Sequence, residues 1–128
     1  MNTDAAEQKD PLTGAILRAA FEVAGTLGHG FLESVYQRAL AYELELAGLK
    51  VTREVPFKVK YKGREMGTYL ADLVVEGSII VELKAIDAAI GLPQISQCLN
   101  YLRASGLKTA LILNFGRPRV EYKRVALT

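Results

Sequence analysis

From Pro11 the apolar residues Leu12, Ile16, Ala20, Val23, Ala24 and Leu27 recur at helical spacing, with the proline in the first turn, where a helix tolerates it. Gly28-His29-Gly30 interrupts this stripe, and a second helical pattern runs from about Phe31 to Ala47, ended by Gly48. The period then changes to two. Val51, Val55, Phe57, Val59 and Tyr61 alternate with Thr52, Glu54, Lys58 and Lys60, which predicts a half-buried strand. Lys62-Gly63 turns the chain into a second strand, Arg64 to about Val75, and Glu76-Gly77-Ser78 turns it again into Ile79 to Ala85. Pro93 opens a third helix with an apolar face of Ile95, Cys98, Leu99 and Leu102, and Gly106 closes it. Thr109 to Asn114 is continuously apolar, as a strand covered on both faces requires, and Val120 to Ala126 alternates like an edge strand. The order α-α-β-β-β-α-β-β predicts an α+β fold, a mixed α/β sandwich with helices packed on one sheet.

Composition narrows the chemistry more than the fold. The chain has 128 residues, enough for one domain, with 50% hydrophobic and 23% charged residues, an ordinary globular mixture. Residues 1–10 read as a flexible lead-in and 11–128 as the domain. The polar, acidic start lacks the basic-then-apolar pattern of a signal peptide, and no apolar run approaches the ~20 residues a membrane span needs. A cytoplasmic, membrane-free protein is expected. One cysteine, Cys98, excludes an internal disulfide and any multi-thiolate zinc site. One histidine, His29, excludes multi-histidine metal centres and disfavours a serine-type triad, and between two glycines it reads as a loop residue. Catalysis would have to rest on carboxylates, lysine, tyrosine or glutamine. The net charge is only +2, but after residue 102 Arg103, Lys108, Arg117, Arg119, Lys123 and Arg124 face a single acid, Glu121, a local charge of +5. Such a segment is either a phosphate-facing surface or a solvated rim.

The hairpin around Gly77 carries the sharpest inference. A three-residue loop pairs Val75 with Ile79 and Val74 with Ile80, so Asp72 falls opposite Glu82 on one sheet face, with Lys84 two residues further along that face. The other face is Ile79, Val81, Leu83 and Ala85, a core face. Two opposed carboxylates within apolar strands repel each other. Either Lys84 neutralises one, or a divalent cation such as Mg²⁺ sits between them. Glu33 is in phase with Leu40 and Leu44 and points to the packed side, where it needs a partner; the other reading is an acid placed at the positive end of its helix. Gln94, Gln97 and Tyr101 share the helix face opposite the apolar stripe.

These residues form a set. Gly30-Phe31-Leu32-Glu33-Ser34-Val35-Tyr36 matches the pattern that names the GxxExxY protein family, and Asp72 followed by Val81-Glu82-Leu83-Lys84 resembles the D-x(n)-E-x-K core of the PD-(D/E)XK nuclease superfamily. Gln97-Cys98-Leu99-Asn100-Tyr101 is similar to the Q-x-x-x-Y motif of several branches, and Leu111-Ile112-Leu113-Asn114-Phe115-Gly116 with Lys123-Arg124 resembles the family's ending. Ala71 stands where the superfamily's name places proline. The resemblance, from Leu12 to Val125, implies a restriction-endonuclease-like αβββαβ core with an extra N-terminal helix and a C-terminal strand. It implies a metal-dependent nuclease for DNA or RNA, with Asp72, Glu82, the Leu83 carbonyl and Glu33 around Mg²⁺ or Mn²⁺. Lys84 would orient the attacking water, Gln97 and Tyr101 would position lysine, water or phosphate, and Arg117, Arg119, Lys123 and Arg124 would meet the nucleic-acid backbone. The competing class is a non-catalytic nucleic-acid- or protein-binding module on the same fold. A domain this small would be expected to work as a homodimer or with a partner protein.

Overall fold

The computed structural model describes residues 10–127. Its elements follow the order α1 (Pro11–Leu27), α2 (Glu33–Leu46), β1 (Val51–Tyr61), β2 (Arg64–Val75), β3 (Ile79–Lys84), α3 (Leu92–Ser105), β4 (Thr109–Asn114) and β5 (Glu121–Ala126). This is the order the periodicity predicts, with element ends moved by one or two residues. The lead-in, residues 1–10, lies outside the described residues except for Asp10, which belongs to the fold. Its carboxylate accepts from Leu12 N–H at 3.2 Å and from Thr13 Oγ1 at 2.7 Å, capping α1 ahead of Pro11.

The five strands form one sheet in the order β1-β2-β3-β4-β5, antiparallel throughout except between β3 and β4, which run parallel across the α3 crossover. α1 and α2 cover one face, where Ile16, Leu17, Leu40 and Leu44 meet Leu73, Val81, Leu111 and Leu113. α3 covers the other, setting Cys98 and Leu102 against Val74, Ile80, Ala110 and Ile112. Helices on both faces explain why β3 and β4 are apolar without alternation. Gly106 takes the left-handed conformation (φ 77°) and returns its N–H to the Leu102 carbonyl, which ends α3. Among the described residues no helix is long and apolar enough to cross a membrane.

As far as Leu73 the hairpin register is the one counted outward from Gly77, but the expected cross-strand pairing of Asp72 with Glu82 is not formed. Val75 pairs with Ile79, Val74 with Ile80 and Leu73 with Val81. There the ladder stops. Beyond it β2 remains paired with β1, and β3 with β4, so a fork opens at Asp72 and Glu82. The alternation of β1 and β2 also changes sense at this level. Val51, Leu73 and Val75 belong to the α1/α2 core, whereas Val55, Phe57, Tyr69 and Ala71, at positions of the same parity, belong to the α3 core. Glu54, which falls opposite Asp72, has a φ of 54°, and this left-handed residue inside a strand is where β1 makes the change.

A candidate two-carboxylate site at the strand fork

The two acids occupy the fork by bonding to backbone that the sheet leaves unpaired. Asp72 N–H donates to Glu82 Oε2 at 3.2 Å, and Leu83 N–H donates to Asp72 Oδ2 at 2.8 Å. Each carboxylate thus replaces a rung of the interrupted ladder. Glu82 is 8% exposed and turns toward α3, where Tyr69 Oη donates to Oε2 at 2.6 Å. Asp72 is touched from the other face by Gln37 of α2, whose Nε2 lies 3.4 Å from Oδ1. Among the described residues, Glu82 Oε1 accepts no hydrogen bond.

Electrostatics follow from this placement. Burial, with the Asp72 charge alongside, pushes the Glu82 carboxyl up to about 7, against the opposing pull of the Tyr69 hydroxyl and Lys84. Burial also raises Asp72, partly offset by Leu83 N–H, Gln37 and Lys84, and reinforced by Glu54. Burial and the Glu82 charge raise the Cys98 thiol to about 12, which leaves it inert as a nucleophile and consistent with a small core residue. Lys84, half-buried at the end of β3, acts on both acids from a distance and forms no ion pair among the described residues.

The strand end that carries Lys84 is held from behind. Fully buried Asn114, the register partner of Lys84, accepts from Ile86 N–H and Gly116 N–H and donates to the carbonyls of Ile86 and Ala88. The Glu121 carboxylate accepts from Ile90 N–H at 2.9 Å. A Cβ at position 116 would collide with the backbone of Ala85 and Ile86, so only glycine lets β4 exit beside this loop. Together these contacts lock the segment between β3 and α3.

Several expected positions require correction. Glu33 is exposed at the first residue of α2, not turned to the packed side; the core stripe begins one turn later with Tyr36, Gln37, Leu40 and Leu44. It favours the helix dipole and lines an open hollow of about 300 Å³ with Ser34, Gln37, Arg38, Glu54 and Asp72. Among the described residues no group of three His, Cys, Asp or Glu side chains is close enough to hold a metal. Tyr101 does not look out to solvent but packs in the α3 core and stacks on Tyr69 with ring planes 9° apart, so it reaches Glu82 through that ring. Gln97 is exposed one turn away, and Gln94 is used as a cap, accepting from Gly91 N–H at 2.8 Å. Lys123 and Arg124, adjacent on β5, project to opposite faces; Arg124 lies 3.5 Å from Asp10, and Arg117 lies 3.8 Å from Asp87.

Sequence reasoning missed Tyr69, Gln37 and Glu54. Tyr69 was legible as an aromatic three residues before Asp72, but only the reversal of alternation brings it under α3. The tyrosine of the Gly30–Tyr36 motif is structural: buried Tyr36 donates to the Gly28 carbonyl at 2.7 Å, accepts from Phe31 N–H at 3.2 Å and stacks on Phe115. It holds the α1–α2 connection, and with it the start of α2 beside the fork.

An α+β sandwich whose two central antiparallel strands part over a pair of carboxylates is the restriction-endonuclease-like arrangement. The sequence model of the PD-(D/E)XK nuclease superfamily matches residues 10–125, and the chain belongs to that superfamily. No curated protein matches the chain. Among solved structures, one described as "Crystal structure of SSO0001" is similar in fold, with a TM-score of 0.53 at 17% identity over 97% of this chain. The chain spans 60% of the length of that structure.

Proposed function

We propose that this chain is a metal-dependent nuclease that hydrolyses phosphodiester bonds of DNA or RNA, within the GxxExxY branch of the superfamily. The observation that carries the reading is the fork itself: two carboxylates share a buried notch in which ionising both is unfavourable, beside a lysine committed to neither. The donor set fits Mg²⁺ or Mn²⁺. Mg²⁺ prefers hard oxygen, keeps several waters and is commonly held by one or two carboxylates, so the absence of a third acid among the described residues is compatible with it. Asp72, Glu82 and the Leu83 carbonyl would hold the ion, with Glu33 at the rim of the adjoining hollow. When bound, it supplies Lewis acidity toward the phosphate and a lower pKa for its water.

The remaining chemistry belongs to the chain. Leu83 N–H, Asp72 N–H, Gln37 and Tyr69 orient the two carboxylates, so no rotamer search precedes ion binding. Lys84 orients the attacking water and stabilises the charge that develops on the phosphoryl oxygens. Tyr101 acts through Tyr69, and Gln97 stands one turn along the same helix toward incoming substrate. A domain of this size leaves little surface for target recognition, and we expect it to act in the cytoplasm as a homodimer or with a partner protein, which light scattering can decide.

The test is nicking of single- and double-stranded DNA and RNA by the wild type and Lys84→Ala, with Mg²⁺ or Mn²⁺ and with EDTA. Metal-dependent cleavage lost in the variant supports the reading; cleavage that survives the substitution overturns the assignment of Lys84. The competing reading is a non-catalytic nucleic-acid-binding module on the same fold. Calorimetry with Mg²⁺ separates the two, since the module would show no heat of binding that Asp72→Ala and Glu82→Ala abolish.

A further inference from the structure

Beside the acidic hollow the exposed side of α2 carries a second one, lined by Arg38, Ala41, Tyr42, Glu45 and Arg53. Arg38 belongs to both hollows and forms the saddle between them. Among the described residues neither Arg38 nor Arg53 forms an ion pair, although Arg124, Arg117 and Lys58 each have an acidic partner. Tyr42 is 63% exposed, a large aromatic surface with no ring partner among the described residues. Ser34, Arg38 and Tyr42 recur every four residues along one face of α2 and so form a stripe ~12 Å long.

The charge along this stripe has a direction. Glu33, Glu54 and Asp72 make the fork end negative, and Arg38 and Arg53 make the far end positive apart from Glu45. A polyanion approaching along α2 meets repulsion at the acids of the first hollow and attraction over the arginines of the second. Free guanidinium groups flanking an exposed aromatic ring are the pairing that holds an unstacked strand, with phosphates on arginine and a base on the ring. A duplex keeps its bases inside and gains nothing from Tyr42.

We propose that Arg38, Arg53 and Tyr42 form the entry track for a single nucleic-acid strand, which runs along α2 and over Arg38 into the fork. This rests on the nuclease reading for what happens at the fork, but it assigns substrate contact to α2 and β1 rather than to the C-terminal basic residues. It also assigns preference to an unpaired strand.

The test is fluorescence anisotropy with a 5′-labelled 15-nucleotide mixed-sequence single strand and its duplex, in EDTA and across a salt series. The single strand should bind more tightly than the duplex. Arg38→Gln and Arg53→Gln should each weaken single-strand binding about 3- to 10-fold and reduce the slope of log affinity against log salt by ~0.7. Tyr42→Ala should weaken it about 10-fold while changing duplex binding less than about 2-fold. Arg64→Gln, outside the track at the start of β2, should change either affinity less than about 2-fold. All four side chains are exposed, and circular dichroism checks that the variants fold. No binding by the wild type, equal or tighter binding of duplex, or wild-type affinity in the Arg38 and Arg53 variants would overturn the track. Because binding is read without metal, a failure to cleave would leave these affinities unchanged, and a failure of the track would leave cleavage unchanged.

Discussion

Replacing Glu82 by glutamine should stabilise the metal-free protein at alkaline pH and leave it nearly unchanged near pH 5. In the folded chain the carboxyl is raised from 4.5 to about 7, mainly by burial. Between those values the folded state holds a proton that the unfolded state has released. Stability therefore falls as pH rises from about 4.5 to about 7 and stays lowered above that. At 1.36 kcal/mol for each pH unit, the penalty is about 3 kcal/mol, carried by a side chain only 8% exposed. Glutamine is isosteric, and its amide oxygen can accept from Tyr69 Oη and Asp72 N–H as Oε2 does. The other titrating groups are common to both proteins and cancel to first order. Removing the Glu82 charge also relieves Asp72, which acts in the same direction. Urea unfolding in EDTA at pH 5 and pH 8 measures the difference. With a urea slope of ~1–3 kcal/mol per molar, the midpoint of Glu82→Gln should exceed that of the wild type by ~1–3 M at pH 8 and by much less at pH 5. A difference independent of pH, or a variant less stable at pH 8, would refute the account of the fork as a site of stored electrostatic cost. Saturating Mg²⁺ should reverse the ranking in part, since an ion bound only by the folded wild type adds ~2.7 kcal/mol at one hundred times its dissociation constant.

Three further outcomes follow from the same contacts. Tyr69→Phe deletes a hydrogen bond to a buried carboxylate and should cost about 2 kcal/mol at pH 8, with the pH transition of stability displaced upward because that bond lowers the Glu82 pKa; an unchanged urea midpoint at pH 8 would count against the contact. Asn114→Ala leaves two N–H groups and two carbonyls of the 86–88 and 116 segments without partners and should cost about 3 kcal/mol in chemical denaturation, with faster amide exchange at Ile86 and Gly116. Asp10→Ala removes the α1 cap and should lower stability at pH 7 by about 1 kcal/mol. Burial opposes ionisation of Asp10, but Thr13, Leu12 and Arg124 outweigh it and hold its pKa below the ordinary value. The contribution is therefore full above the unfolded-state pKa and is lost as pH falls through the folded one, so the variant and wild type should converge in acid unfolding.

Local order was readable along the chain because the forces that set it are local. Periods of 3.6 and 2, Pro11 near a helix start and Gly106 at a helix end place the elements, and a three-residue loop at Gly77 counts outward to the pairing of Leu73 with Val81, and so to the level of Asp72 and Glu82, without reference to the rest of the molecule. Motif order could likewise be read, since Glu82 and Lys84 share one short strand. Distances between separate segments were not readable. Glu33 has the helical phase of a core residue, yet it starts its helix beyond the edge of the packed layer and faces an open hollow. Tyr69 has the parity of Leu73, yet the left-handed Glu54 and the parting of β2 from β3 turn it to the opposite face, where it becomes the partner of Glu82 and the platform for Tyr101. Lys123 and Arg124 are neighbours in the chain and diverge in space, whereas Arg38 and Arg53, fifteen residues apart, share one hollow. Pattern along a chain reports the solvent preference of each residue; which acids, amides and rings meet depends on strand divergence and helix docking, and those arise only when the two cores close on the sheet.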